Sequence, residues 1–265
     1  MILAAFALDA ALLIAVALVL WAYAVRIEDV SFIDAFWGAG MALVALFAWL
    51  RLESAGPLAN LLLAMTALWG LRLGIHLLRR WLREGEDKRY ARMLARDKAA
   101  GRFARAALTR VFLGQALLLL LVSSPAHLGI LAAGETARPG ALAWAGAALW
   151  LVGIAFEWIG DWQLAQFRAD PGNAGQVMDK GLWAWTRHPN YFGDACAWWG
   201  IWLVAAEAGW WVAAATVAGP IFLTFTLMRW SGAPLLEAGL AKSRPGYAAY
   251  QARTPAFFPR PPRPL

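Results

Sequence analysis

The chain alternates long apolar runs with short polar breaks, and the run length matches the thickness of a membrane. An apolar helix of ~20 residues crosses a ~30 Å hydrocarbon layer. Seven stretches approach that length. They cover about Leu3 to Val25, Phe32 to Leu50, Pro57 to Leu78, Arg110 to Leu131 with an interruption near Pro125, Ala141 to Phe167, Phe192 to Ala206, and Trp210 to Arg229. Between the third and fourth lies a basic stretch from Arg79 to Arg105. A Gly- and Asp-containing loop, Arg168 to Gly181, follows the fifth, and the tail after Ser231 is basic and Pro-rich. The pattern predicts an all-α polytopic membrane bundle of about seven transmembrane helices, a single integral membrane domain over residues 1–265.

Composition agrees with that reading. Of 265 residues, 61% are hydrophobic and 15% charged, against roughly 25% charged in a soluble domain. The net charge of +7 could suggest nucleic acid. Its placement argues instead for a membrane, because Lys and Arg concentrate in the stretches after the third, fifth and seventh runs. Cytoplasmic loops retain such residues, so the expected topology has the N-terminus outside and the C-terminus cytoplasmic. The first run has no basic leader and no cleavage motif, and is expected to be a retained span. Cys196 is the single cysteine. It excludes an intrachain disulfide, and no Cys/His spacing matches a metal site. The seventeen Trp are expected mostly at membrane interfaces.

Ionisable groups inside spans are costly to insert and therefore informative. Glu157, Asp161 and Arg168 share one face of the fifth run at i, i+4 and i+11. They form either an ion-pair network or an anion site. Trp69, Arg72, His76 and Arg79 make a second stripe on the third run. Arg72 either snorkels to the headgroups or presents its planar guanidinium to phosphate. Asp34 opens the second run, as an N-cap or, if turned inward, as a protonated hydrogen-bond donor with Trp37 on its face. Asp9 is expected to face water at the external side.

The densest polar segment is Gly181-Leu-Trp-Ala-Trp-Thr-Arg-His-Pro-Asn-Tyr-Phe-Gly-Asp194. Pro189 suits the start of a helix. Arg187, His188, Asn190, Tyr191 and Asp194 cluster at that start, where free backbone N–H groups favour anions. Gly181 and Gly193 permit close backbone approach. Physically this is a cofactor clamp at a helix N-terminus, or a structural turn.

Gly181-Leu182 and Arg187-His188-Pro189-Asn190-Tyr191-Phe192-Gly193, with the tail Glu237, Gly246-Tyr247, Tyr250, Arg253 and Phe258-Pro259, resemble a membrane-enzyme superfamily. It holds steroid 5α-reductases, sterol reductases, and isoprenylcysteine and phospholipid methyltransferases. The Glu157, Asp161, Arg168 stripe, Arg72, Gly85-Glu-Asp-Lys-Arg-Tyr90 and Ser31-Phe-Ile-Asp-Ala-Phe-Trp-Gly38 are similar to the 5α-reductase branch and its bacterial relatives. The resemblance departs at the carbonyl-holding residues: Asp34-Ala35 and Trp69 stand where that branch has a Gln-Glu pair and a Tyr, and Glu157 where it more often has Asn.

The resemblance implies an NADPH-dependent reductase of a lipophilic enone, a 3-oxo-Δ4 steroid or steroid-like lipid, in a bacterial inner membrane. It implies cofactor binding in approximately residues 150–265, through Glu157, Asp161, Arg168, Arg187, His188, Asn190, Tyr191 and Asp194, with Arg72 and Arg89. It places the substrate ketone near Asp34, Trp37 and Trp69, with Asp34, Trp69 and Tyr90 as candidate donors, and the basic stretch as a cover over the cofactor. The alternative in the same superfamily is an S-adenosylmethionine-dependent methyltransferase of a prenylcysteine or phospholipid.

Overall fold

The computed structural model describes residues 2–230 and 232–261, and every regular element among them is helical. α1 (Ile2–Ile27), α2 (Ile33–Leu50) and α3 (Pro57–Glu84) come first, then the short α4 (Lys88–Ala99). α5 (Phe103–Ala107) and α6 (Leu113–Ala133) continue as one 31-residue helix through a π-turn at Leu108–Phe112. α7 (Ala141–Ala169) is followed by the single turn of α8 (Leu182–Trp185) and by α9 (Pro189–Ala206). α10 (Trp210–Thr216) and α11 (Ala218–Phe225) run into a second π-turn, Thr226–Trp230. α12 (Ala233–Ser243) and α13 (Tyr247–Arg253) form the tail.

The chain is an all-α polytopic bundle. Among the described residues, six helices are long and apolar enough to cross a membrane: Ile2–Ile27, Ile33–Leu50, Pro57–Glu84, Phe103–Ala133, Ala141–Ala169 and Trp210–Trp230. The predicted sixth run is helical, as α9, but stands outside that set. Asn190, Tyr191 and Asp194 dilute its apolar character. Large apolar side chains such as Leu68, Trp144 and Trp162 are exposed on the outer faces, as lipid-facing residues must be.

Several boundaries differ from the sequence pattern. α3 continues past Leu78 to Glu84 because Arg79 to Arg83 are good helix formers; Gly85, at φ 72°, ends it. The basic stretch contains α4, and the tail contains two helices. Pro125 lies inside α6 without breaking it, and Ser124 Oγ donates to the Leu121 carbonyl one turn back, at 2.8 Å. Such side-chain compensation lets membrane helices tolerate proline. Asp9 does not face water: it is fully buried and pairs with Arg51 and His127.

Two compact units divide the chain. The first runs to Ala143 and adds Val204–Gly219; the second is Trp144–Leu203 with the residues from Pro220 onward. In the first, α2 and α3 meet backbone to backbone: a Cβ placed on Gly38 would fall 2.6 Å from the Gly70 carbonyl oxygen. α6 packs against α1, α2 and α3. Val30, Phe32, Ile33, Leu94, Val111 and Phe112 form an apolar cluster that seats α4. In the second unit, α7 and α9 touch through Gly153 and Gly193 and through Gly200 against Gly146 and Trp150. Small residues allow this approach, which membrane helices use where lipid removes the hydrophobic drive to associate.

Candidate functional site

Each unit holds a dense polar cluster. In the first unit, the α1–α2 turn, the end of α3 and the start of α4 converge. Trp81 Nε1 donates to Asp29 at 2.7 Å, and the Asp87 amide donates to Ser31 Oγ at 2.8 Å. Asp87 caps α4, accepting from the Arg89 amide at 2.8 Å. These bonds bring the start of α4 to the mouth of α2.

Asp34 is the hub. Its carboxylate accepts from Arg89 Nη2 at 2.9 Å and from Tyr90 Oη at 2.6 Å, with Arg80 Nη2 at 3.7 Å. Arg89 also pairs with Asp87 at 2.8 Å, and Gln115 Nε2 donates to Tyr90 Oη at 3.4 Å. Asp34 is therefore neither of the forms expected from sequence. The N-cap position is Phe32, without a side-chain bond, and the carboxyl is surrounded by donors, so it acts as an acceptor. The hydrogen bond from Arg89 holds the Asp87 carboxyl below its usual range. Burial first, and then the Asp34 charge, push the Tyr90 phenol well above its usual range, so Tyr90 stays protonated. Burial and the Asp29 charge raise Glu86. A cleft of about 280 Å³ opens here, with Ser31, Asp34, Arg80, Trp81, Glu86 and Asp87 in its walls. Trp69 is fully buried in α3. It adjoins Gly70, which meets Gly38 and Ala42 of α2, about one turn deeper than Asp34. Trp37 and Arg72 are half-buried and His76 is exposed.

In the second unit the Gly181–Asp194 segment is clasped by the tail. Gly181 takes φ 59°, turning the chain so that the Leu182 amide donates to Gln163 at 3.0 Å and Trp183 Nε1 to the Gly160 carbonyl at 3.0 Å. Thr186 Oγ1 donates to the Phe257 carbonyl at 2.8 Å, and the Arg187 amide to that of Pro255 at 2.9 Å. The Arg187 guanidinium makes four bonds: Nε and Nη2 to Glu237 at 2.8 and 3.0 Å, and Nη1 to the Gln251 and Thr254 carbonyls at 3.1 and 2.6 Å. His188 Nε2 lies 2.8 Å from the same carboxylate, and its ring stacks on Tyr191 at 5.2 Å. Gln251 Nε2 adds a third donor residue to the same carboxylate, at 2.9 Å. Burial by itself would raise Glu237, but bonds from His188, Arg187 and Gln251 hold its carboxyl down to about 2. Burial and Glu237 together push the Tyr247 phenol up to about 12.

The remaining predicted residues fall around this clasp. Glu157 is buried on α7, where Gly193 of α9 lies against its backbone. Asp161 and Asp194 are half-buried, Arg168 is exposed, and Asn190 Oδ1 accepts from the Tyr191 amide at 3.1 Å. Sequence reasoning missed Glu237 as the partner of Arg187 and His188, and Arg80 and Asp87 as partners around Asp34. Charge type and an adjacent motif were their only signals. Among the described residues, no group of three or more His, Cys, Asp or Glu could hold a metal ion.

A family model described as "Protein of unknown function (DUF1295)" matches residues 20–254. The chain belongs to the DUF1295 family. It is also similar to Uncharacterized protein C594.04c of Schizosaccharomyces pombe, 24% identical over 273 residues that cover 91% of this chain and 76% of that one. No solved structure matches the chain. The DUF1295 match takes in every residue of both clusters named above from Asp29 to Thr254. It leaves out only the Pro255 and Phe257 carbonyls that anchor Arg187 and Thr186.

Proposed function

We propose that this DUF1295 protein is an NADPH-dependent membrane reductase of the C=C bond of a lipophilic enone, a 3-oxo-Δ4 steroid or steroid-like lipid. The observation that carries the reading is Tyr90: a phenol held protonated, fixed 2.6 Å from Asp34, beside a cleft in which Asp34 forms part of the wall. Addition of hydride to the β-carbon of an enone places negative charge on the carbonyl oxygen, and a prepositioned donor stabilises that charge. Turning the Tyr90 hydroxyl from Asp34 to the substrate oxygen supplies the donor. Arg89 and Gln115 keep the ring in place. Water delivers the proton to the α-carbon.

When bound, NADPH supplies the hydride. The residues fit it in part. Arg168 offers a guanidinium to phosphate, and His188, Asn190 and Tyr191 offer polar and stacking groups. Arg187 is already committed to Glu237 and two carbonyls. That one observation favours the second reading, an S-adenosylmethionine-dependent methyltransferase, because that cofactor carries no phosphate. By the distribution of Lys and Arg, we place the basic stretch and the tail on the cytoplasmic side of a bacterial inner membrane, with the N-terminus outside.

The test is direct. Purified protein incubated with NADPH and a panel of enone steroids is expected to yield products gaining two hydrogens, read by mass. Thermal stabilisation by S-adenosylmethionine and not by NADPH would overturn the reductase and support the methyltransferase.

A further inference from the structure

α4 and the start of the Phe103–Ala133 span border a second, open cavity of about 530 Å³, lined by Arg92, Met93, Arg96, Asp97, Arg102 and Arg110. Four guanidiniums thus face one carboxylate. Asp97 is nearly buried and takes one donor from Arg110 at 2.8 Å and one from Arg102 at 3.4 Å. Arg92 Nε is bonded to the Lys88 carbonyl at 3.0 Å. A guanidinium has five N–H donors, so most donors around the cavity remain for another acceptor, and the net charge is positive.

We propose that this cavity binds the phosphate headgroup of an anionic phospholipid. Arginine suits phosphate because its planar fork matches two oxygens at once. The location argues for lipid over a soluble phosphate. Arg110 lies two turns inside a membrane-crossing helix that begins at Phe103, so the cavity sits where that span enters the headgroup layer. The exposed Met93 gives it an apolar wall, suited to the glycerol and upper acyl chain. The inference does not depend on the reductase reading.

The test uses the full chain in a neutral detergent. Phosphatidylglycerol, phosphatidylcholine and inorganic phosphate are added separately; thermal unfolding and native mass spectrometry read binding. Phosphatidylglycerol is expected to raise Tm and stay bound, and phosphatidylcholine to do neither. The double variant Arg92→Gln/Arg96→Gln is expected to keep its lipid-free Tm. It should bind phosphatidylglycerol roughly 100-fold more weakly, since each hydrogen bond from a guanidinium to the phosphate contributes roughly tenfold or more. A control pair, Arg79→Gln/Arg83→Gln, is expected to bind like the parent. Equal stabilisation by phosphatidylcholine, equal weakening in the control pair, or an equal shift with inorganic phosphate alone would each overturn the proposal.

Discussion

Arg187 and Glu237 form a two-point ion pair, Nε to Oε1 at 2.8 Å and Nη2 to Oε2 at 3.0 Å, across fifty positions of sequence. Both side chains are nearly buried. The pair joins the turn before α9 to α12, and His188 shares the carboxylate. Glu237→Ala leaves a guanidinium and an imidazole without their counter-charge. Removing one partner of a buried pair costs about 3–5 kcal/mol. Glu237→Ala and Arg187→Ala are each expected to lower stability by that amount. Replacing both by Leu and Met is expected to lose much less. Reversible unfolding in detergent measures all three.

The same carboxylate sets an acid limit. Its folded-state pKa is depressed to about 2 from an ordinary 4.5. A depressed carboxylate stabilises the fold above its unfolded pKa, and that stability is lost as pH falls through the folded value. Stability of the parent is expected to decline between about pH 4.5 and pH 2 more steeply than that of Glu237→Gln. Tm against pH for the two proteins gives the comparison.

Tyr90→Phe removes the phenol and keeps the ring. If Tyr90 donates to the substrate carbonyl, kcat is expected to fall roughly 10²–10³-fold, while loss of the bonds to Asp34 and from Gln115 lowers stability by about 2–3 kcal/mol. Because burial and Asp34 push the phenol well up, activity is expected to show no phenol ionisation between about pH 8 and pH 10, where an ordinary tyrosine begins to titrate. A pH–rate profile of the parent and steady-state kinetics of the variant check both points.

The membrane spans were legible because apolar length is a local property. The ends of α1, α2 and α7 lie within about two residues of the predicted limits, whereas α3 and the fourth span overran theirs, since helix propensity does not stop at the lipid boundary. Asp34, Tyr90, Arg187 and His188 were visible as residue types in suggestive places. Their partners were not. Arg187 read as a phosphate ligand because it stands at a helix start, where backbone N–H groups favour anions, and Glu237 reaches it only through the folding of the tail. Asp34 read as a cap or a donor because spacing cannot show that Arg80, Arg89 and Tyr90 all arrive on it.

Asp9 gives a prediction away from both clusters. It is fully buried in α1, 2.7 Å from the Arg51 guanidinium and 3.0 Å from His127 Nε2, and Phe6 stacks on the His127 ring at 4.7 Å. Asp9→Ala leaves the buried His127 without its partner, while Arg51 is exposed, and is expected to cost about 1–3 kcal/mol. A triple apolar replacement, Asp9→Leu/Arg51→Leu/His127→Leu, is expected to recover most of that loss, because the desolvation of the charges disappears with them. Unfolding of the two variants under one denaturant series decides it. A triple variant as unstable as Asp9→Ala would show that the network contributes through its own hydrogen bonds.

The glycine contacts between α7 and α9 make the sharpest packing prediction. A Cβ at Gly153 would lie 2.5 Å from the Gly193 carbonyl oxygen and 2.6 Å from the Ala197 amide nitrogen. Both are backbone atoms, so no side chain can rotate away, and relief requires the helices to separate. Gly153→Val is therefore expected to abolish the monodisperse folded species on size-exclusion chromatography, and Gly153→Ala to reduce its yield. Gly114 in α6 is the matched control: a Cβ there meets nothing within 4 Å. Gly114→Ala is expected to be neutral or to stabilise by about 0.5–1 kcal/mol, through reduced freedom of the unfolded chain and better helix propensity. Normal folding of Gly153→Val would mean that α7 and α9 are not in backbone contact at this crossing.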